Sequence, residues 1–256
     1  MGCGDDVVKP RPVHEEPARR ADLAAAWDQY ADLWIAWARE PGHDSYWRFG
    51  RDTFLALLPP AGRLTLDVGC GEGRLSRDLR ERGHQVVSID RSPTLVRAAA
   101  AAARGFPALL ADAAALPFLD GACDLVVAYM SLHDIDGMQG AVGEAARVLQ
   151  PGGHLCLAIV HPVNSAGQFA SRASDATFVF EGSYLEPHGY VDRVERDGLR
   201  MVFTGCHRPL EHYFTALEEA GLLVEKLREV PGDDDRWHRV PLFLDLRAVK
   251  VDPRPP

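Results

Sequence analysis

The sequence has no apolar run approaching the roughly 18 residues that a membrane-spanning helix needs, which excludes an integral helical membrane protein. Cysteine is scarce. The five present, Cys3, Cys70, Cys123, Cys156 and Cys206, are odd in number and scattered, with no Cys-x-x-Cys pair. That argues against a disulfide framework and a zinc knuckle, so no metal site is expected, and it points to a reducing, cytoplasmic location. Positive charge is also short. Lys and Arg total 28 against 37 Asp and Glu, a net charge of −9. The basic footprint of a nucleic-acid binder is missing, and an anionic membrane surface is disfavoured. The opening MGCGDDVVKPRPVHEEP has no apolar core for a secretory signal, and Asp6 stands where a myristoylation signal takes Ser or Thr. What is present is a globular balance, with 46% hydrophobic and 25% charged residues in a 256-residue chain. Such a chain buries a core without staples.

Residues 1–16 are polar and proline-punctuated and read as a disordered tail. From 17 to 40, Leu23, Trp27, Tyr30, Trp34 and Trp37 recur at three- and four-residue steps, the stripe of one amphipathic helix. Pro41-Gly42 stops it, and a second helix is expected over 45–58, giving a helical lid over 17–60. The rhythm then alternates. Strands are expected at 63–68, 85–89, 107–111, 123–129 and 154–160, with helices at 73–82, 93–103 and 138–149 between them and a turn at Pro151-Gly152-Gly153. Strands separated by helices imply parallel β-α-β units with right-handed crossovers. Residues 163–209 break the rhythm, with a hairpin expected over 190–195 and 199–204 around Asp197-Gly198. A helix at 210–220 and strands at 222–229 and 241–250 close the sheet.

The chemistry concentrates at strand ends. Leu64 to Gly73 reads as a strand running into Gly69-x-Gly71-x-Gly73 and then a helix, so a ligand can approach the backbone and the helix N–H groups closely. The spacing is not the Gly-x-Gly-x-x-Gly of a dinucleotide turn. Asp67, just before the first glycine, is poorly placed for a pyrophosphate and well placed for an ammonium. Asp90, ending the second strand, can accept hydrogen bonds from both hydroxyls of a ribose. Asp112, beside the Ala113 backbone N–H, suits an adenine edge. Two further elements follow in order: Asp124 to Asp134 at the fourth strand and Arg147 to Gly153 before the fifth.

These five elements resemble the class I S-adenosylmethionine-dependent methyltransferases, and among them the type 11 small-molecule family. The residues that carry the resemblance are LDVGCGEGR (66–74), VVSID (86–90), ADA (111–113) with LPF (116–118), DLVVAYMSLHDI (124–135) and RVLQPGGHL (147–155). The resemblance implies an α/β fold, a doubly wound seven-stranded Rossmann-like sheet of order 3-2-1-4-5-7-6 with strand 7 antiparallel. The methyltransferase domain would span 61–162 and 210–250, with the helical lid before it and a substrate-cap insert, 163–209, after strand 5. It implies S-adenosyl-L-methionine as cofactor and S-adenosyl-L-homocysteine as product. Gly69, Cys70 and Gly71 would pass under the methionine moiety, Asp67 would orient its amino group and Asp90 would bind the ribose. Arg91 would flank the adenine, Asp112 and Ala113 would read its edge, and Tyr129 would meet the methionine end through its backbone. Tyr30, from the lid, is also assigned to the cofactor. Arg74 reads as a surface helix arginine, with an approach to the cofactor carboxylate as the alternative.

On the acceptor side, His133 follows strand 4 and His161 follows strand 5, at the carboxyl ends where open α/β sheets hold ligands. Both are candidate bases. Two histidines favour O-methylation of a small molecule over N- or C-methylation, and a non-catalytic S-adenosylmethionine-binding protein is the remaining alternative. The structural alternatives are that His133 bonds a neighbouring loop and that His161 orders the turn at Pro162. Trp34, Tyr184, His207 and Arg208 are assigned to the acceptor; an arginine in the cap would suit a carboxylate or phosphate. A monomer or homodimer is expected, with no nucleic-acid or membrane partner.

Overall fold

The structure is a computed structural model that describes residues 7–8, 22–102 and 107–252. Val7–Val8 forms a two-residue strand, β1, so this part of the expected tail is paired; the rest of 1–16 lies outside the described residues. The stripe of aromatics is not one helix. It divides into α1 (Leu23–Gln29) and α2 (Ala31–Arg39) at Tyr30, whose φ of −98° and ψ of 8° end one helix and start the next. Asp22 caps α1, accepting from the Ala25 N–H at 3.1 Å. A wide helical turn, Tyr46–Gly50, then runs into α3 (Arg51–Leu55).

The alternating segment folds as expected. It comprises β2 (Thr65–Val68), α4 (Arg74–Glu81), β3 (Val86–Asp90), α5 (Pro93–Ala102), β4 (Ala108–Leu110), β5 (Cys123–Tyr129), α6 (Met138–Val148) and β6 (Leu149–Val160). After β6 come α7 (Pro162–Ser165), the paired β7 (Gly167–Phe169) and β8 (Phe178–Phe180), and the hairpin β9 (His188–Arg196) and β10 (Leu199–His207). The chain finishes with α8 (Leu210–Glu219), β11 (Leu222–Val230) and β12 (Phe243–Lys250). The main sheet runs β11-β12-β6-β5-β2-β3-β4, with β12 antiparallel to both neighbours. This is the doubly wound order 3-2-1-4-5-7-6. Pro151-Gly152-Gly153 is not a turn before the fifth strand. It lies inside β6, where the register against β5 slips between Cys123 and Leu125.

Burial explains the layering. Residues 125–129 of β5 are all buried, the near-continuous pattern of a parallel strand covered on both faces. One face packs against α6 and α8 and the other against α4, Tyr46, Phe54 and Leu55. A third cluster joins Ala31, Trp34, Trp37 and Ala38 of α2 to Leu95 of α5 and Met201 of β10. The N-terminal helices and the hairpin therefore share one small core. That core holds both over the carboxyl ends of β2 to β5, beside the switch point between β2 and β5 where open α/β sheets leave a crevice.

Candidate active site at the carboxyl end of the sheet

A cavity of about 520 Å³ occupies this crevice, floored by the strand ends and walled by α1, α2 and the hairpin. Its floor depends on glycine. Gly69 and Gly71 have φ of 72° and 57°, and a Cβ on Gly69 would collide with the Ser131 side chain. A Cβ on Gly71 would stand 3.0 Å from Trp34 Nε1, so Trp34 lies directly over the turn. The turn is braced by Asp90. Its Oδ2 accepts from the Gly71 N–H and its Oδ1 from the Ser92 N–H, each at 2.9 Å. Burial raises this carboxyl above the usual carboxylate range, and the backbone donors oppose the rise. Ser92 in turn caps α5 and donates to Asp28 Oδ1 at 2.5 Å, tying α1 to the loop after β3.

Asp67 is buried beneath the turn and accepts from Ser76 Oγ at 2.5 Å. Desolvation pushes it up to about 6. Asp112 accepts from the Ala114 N–H and faces Arg91 across 3.6 Å. Cys70, Ala113 and Tyr129 also line the cavity. The backbone leaves β5 through Met130 at φ 54°, a conformation a non-glycine residue adopts rarely and usually where function needs it.

Arg74 is not a surface residue. It is buried, its Nε 3.1 Å from Asp44 Oδ2 and its guanidinium 4.5 Å above the Trp34 ring. Burial raises Asp44, and Arg74 opposes that rise. His133 is 5% exposed, with Nε2 3.5 Å from Asp134 Oδ1 and Nδ1 without a hydrogen-bond partner. Desolvation, helped by the Arg208 charge, pushes His133 down to about 3, and burial raises Asp134.

The cavity thus gathers Asp67, Gly69, Cys70, Gly71, Asp90, Arg91, Asp112, Ala113, Tyr129, Trp34 and His133 of the residues expected from sequence. Five others stand elsewhere. Tyr30 sits at the break between α1 and α2, off the cavity wall. His161 caps α7, accepting from the Val163 N–H at 3.1 Å with Nε2 3.3 Å from Glu229. His207 is fully buried between Ser165 Oγ at 2.7 Å and the Tyr184 carbonyl at 2.8 Å. The Tyr184 hydroxyl accepts from the Leu210 N–H at the start of α8. Arg208 donates to the carbonyls of Ile135 at 2.7 Å and His133 at 3.4 Å, bracing the loop after β5 from behind. Apart from Tyr30, each of these side chains has a protein group as its hydrogen-bond or ion-pair partner. The wall residues the sequence did not single out include the charged Asp44, Asp136, Asp192 and Arg196. Alternation along β9 carries a signal for the last two, since positions 190, 192, 194 and 196 all face the cavity. Nothing local announces Asp44.

Residues 66–157 match the family described as "Methyltransferase domain". This segment is a methyltransferase domain. An uncharacterized methyltransferase of Mycobacterium tuberculosis is 42% identical over 101 residues, 40% of this chain and 41% of that protein. A demethylmenaquinone methyltransferase of Mycobacterium tuberculosis is 38% identical over 114 residues, 44% of this chain and 47% of that protein. The chain thus spans under half the length of the curated relatives it matches. Among solved structures, an S-adenosylmethionine-dependent methyltransferase from Mesorhizobium loti aligns with a TM-score of 0.63 at 23% identity, over 80% of this chain and 98% of that one. The [4+2]-cyclase SpnF aligns with a TM-score of 0.61 at 20% identity, over 90% and 95%. These likenesses show the class I methyltransferase fold around the domain, and the second is a reminder that the fold also carries other chemistry. Among the described residues no helix is long and apolar enough to cross a membrane, and no three His, Cys, Asp or Glu side chains form a metal-binding group.

Proposed function

We propose that the chain is an S-adenosylmethionine-dependent methyltransferase acting on a small-molecule acceptor, with a hydroxyl as the accepting group. The observation that carries the cofactor is the braced turn, in which left-handed Gly69 and Gly71 lie beside a carboxylate at the end of β3. The wall also holds buried polar atoms with no partner, His133 Nδ1 and Tyr129 Oη among them, so the cavity suits a polar ligand. Asp90 would hold the ribose, Asp112 with the Ala113 N–H the adenine edge, and Arg91 the adenine flank. Asp67 would hold the ammonium and Arg74 the carboxylate of the methionine end. Bound there, the cofactor supplies an electrophilic methyl on a sulfonium. The chain's own task is to align the acceptor in line with it, exclude water and take up a proton.

His133 fits the last role. Neutral throughout the physiological range, its ring can present Nε2–H to Asp134 and leave the Nδ1 lone pair for an acceptor proton. His133→Ala should lower turnover at least about hundredfold with cofactor affinity retained. His161→Ala should leave turnover unchanged, since that ring caps α7. Full activity in His133→Ala would remove the base from the mechanism. The parent reading is tested by calorimetry with S-adenosylmethionine and by formation of S-adenosylhomocysteine across a panel of small hydroxyl acceptors. Failure to bind the cofactor would sink it.

Asp67 adds a pH dependence. Its free-protein value of about 6 lies above the ordinary carboxylate value, so it is protonated below that pH and charged above it. An ammonium binds the charged form. Affinity for S-adenosylmethionine should therefore weaken as pH falls through about 6, with proton release on binding near that pH. Titrations in buffers of different ionisation enthalpy read both effects; a flat affinity from pH 5 to 8 would contradict the assignment.

A further inference from the structure

The two strands that flank the crevice part in opposite directions. β2 and β5 pair as far as Asp67 and Val127. Beyond that point the Gly69 and Cys70 N–H groups donate to the Ile89 carbonyl of β3, at 2.8 and 2.9 Å. The Met130 N–H turns the other way, to the Ala158 carbonyl of β6 at 2.8 Å. The glycine turn and the loop that carries His133 therefore leave the sheet on diverging paths, and the cavity opens between them.

Ser131 spans that gap. It is buried, and its Oγ donates to the carbonyl of Val68, the last residue of β2, at 2.8 Å. The next residue of the turn lies as near. A Cβ on Gly69 would stand 2.4 Å from Ser131 Cβ and 2.8 Å from its Oγ, so only glycine at 69 admits this approach. The backbone of Ser131 holds the other half of the site. Its carbonyl accepts from the Asp134 N–H at 2.9 Å, closing the short turn Leu132–Asp134 that presents His133. Met130, at φ 54°, makes the reversal that brings Ser131 back across the crevice. Arg208 braces the same loop from behind, through the carbonyls of His133, Ile135 and Asp136. On the side of the glycine turn, it is the Ser131 hydroxyl that fixes it.

Methyl transfer needs the accepting atom in line with the donor and the base within reach of its proton, and a misplacement of about 1 Å can cost about a hundredfold in rate. Resting on the reading of this cavity as a methyl-transfer site with His133 as its base, we propose that Ser131 is a positioning residue. Its hydroxyl ties the His133 loop to the glycine turn and so sets the base in register with the bound cofactor. One side chain joins the backbone that would underlie the methionine moiety to the ring that would face the acceptor. The same bond keeps the ring dry. Burial, with the Arg208 charge behind it, holds His133 down at about 3, and Asp134 stands beside it. A loop released from Val68 admits water to the ring, which should then rise toward the ordinary histidine value.

The test compares Ser131→Ala, which removes the hydroxyl and keeps the Cβ that packs on Gly69, with Ser131→Thr, which keeps the hydroxyl. The full chain carries isotope-labelled histidine, and His133→Gln assigns the His133 ring signals. In the wild type that ring should stay neutral down to about pH 5, whereas in Ser131→Ala it should take up its proton between about pH 5 and 7. S-adenosylhomocysteine should bind Ser131→Ala within about threefold of wild type, less than the factor of ten that 1.4 kcal/mol would give. With any hydroxyl acceptor that turns over, Ser131→Ala should lose about tenfold to a hundredfold in kcat with little change in KM for S-adenosylmethionine. Ser131→Thr should lie closer to wild type on each count. An unchanged His133 titration in Ser131→Ala overturns the inference, and so does a threonine as impaired as the alanine. A loss of S-adenosylhomocysteine affinity as large as the loss of rate also overturns it, since Ser131 would then belong to the cofactor cradle. If the wild type does not bind S-adenosylhomocysteine, the methyltransferase reading falls; if it binds and the Ser131 variants titrate as the wild type does, only the inference falls. Full activity in His133→Ala removes the base, whatever the Ser131 variants do.

Discussion

Asp90→Ala should weaken S-adenosylmethionine binding by about a hundredfold or more. Two ribose hydroxyls donating to one buried carboxylate are charge-assisted hydrogen bonds, each worth about 1.5–3 kcal/mol. Losing both removes about 3 kcal/mol or more, hence the factor. The substitution also acts before any ligand arrives. In the free protein Asp90 accepts from the Gly71 and Ser92 N–H groups, so alanine leaves two donors without their acceptor and loosens the left-handed turn. A modest loss of thermal stability should therefore accompany the loss of affinity. Asp90→Asn keeps the side-chain shape and one acceptor oxygen and should fall between. Calorimetry and thermal unfolding on the three proteins separate the two effects. An unchanged dissociation constant in Asp90→Ala would mean that this carboxylate braces the turn and does nothing for the cofactor.

Arg74→Met should be the most destabilising single change at the site. The Asp44 carboxylate is 3% exposed and faces the Arg74 guanidinium. Removing one partner of a buried pair leaves an uncompensated charge, typically costing about 3–5 kcal/mol. For a chain of this size that corresponds to a melting temperature lower by roughly 10 °C. The sign of the pH effect follows from Asp44. Burial already raises its carboxyl, and losing the cation raises it further. The variant's folded state then holds a proton that its unfolded state has released, so its deficit should be largest at alkaline pH and shrink as pH falls. Asp44→Asn in the Arg74→Met background should recover most of the stability, because no buried charge is then left alone. A wild-type melting temperature in Arg74→Met, or no recovery in the double variant, would show that the pair is not coupled.

Arg74 also marks where sequence reasoning stopped. Its place one residue after Gly73 was visible, but a helix-surface arginine and a buried one look alike until 43–46 folds across α4. The same holds for His161, His207, Tyr184 and Arg208. Their residue types suit chemistry, and the structure gives them protein partners, Glu229, Ser165, the Leu210 N–H and the 133–136 carbonyls, off the cavity wall. Tyr30 shared a helical stripe with Trp34 only if 17–40 formed one helix; the break at Tyr30 itself separates them. The structure brings Asp67, Gly69, Gly71, Asp90 and Asp112, which the sequence marked at strand ends, to one cavity.

The sequence by itself determined the alternating strands and helices and the residues of the cradle, and the family resemblance carried by those motifs implied the order of the sheet. Those features are local: alternating strands and helices, glycines where φ must be positive, and acidic residues at strand ends. The tertiary structure alone decided which side chains line the cavity opposite the cradle. That choice depends on α1, α2 and the hairpin packing over the sheet across contacts such as Trp27 Nε1 to the Thr204 carbonyl, 177 residues apart in the chain. A side chain's direction across such a distance is set by the shared core of α2 and β10, and no short-range pattern encodes it.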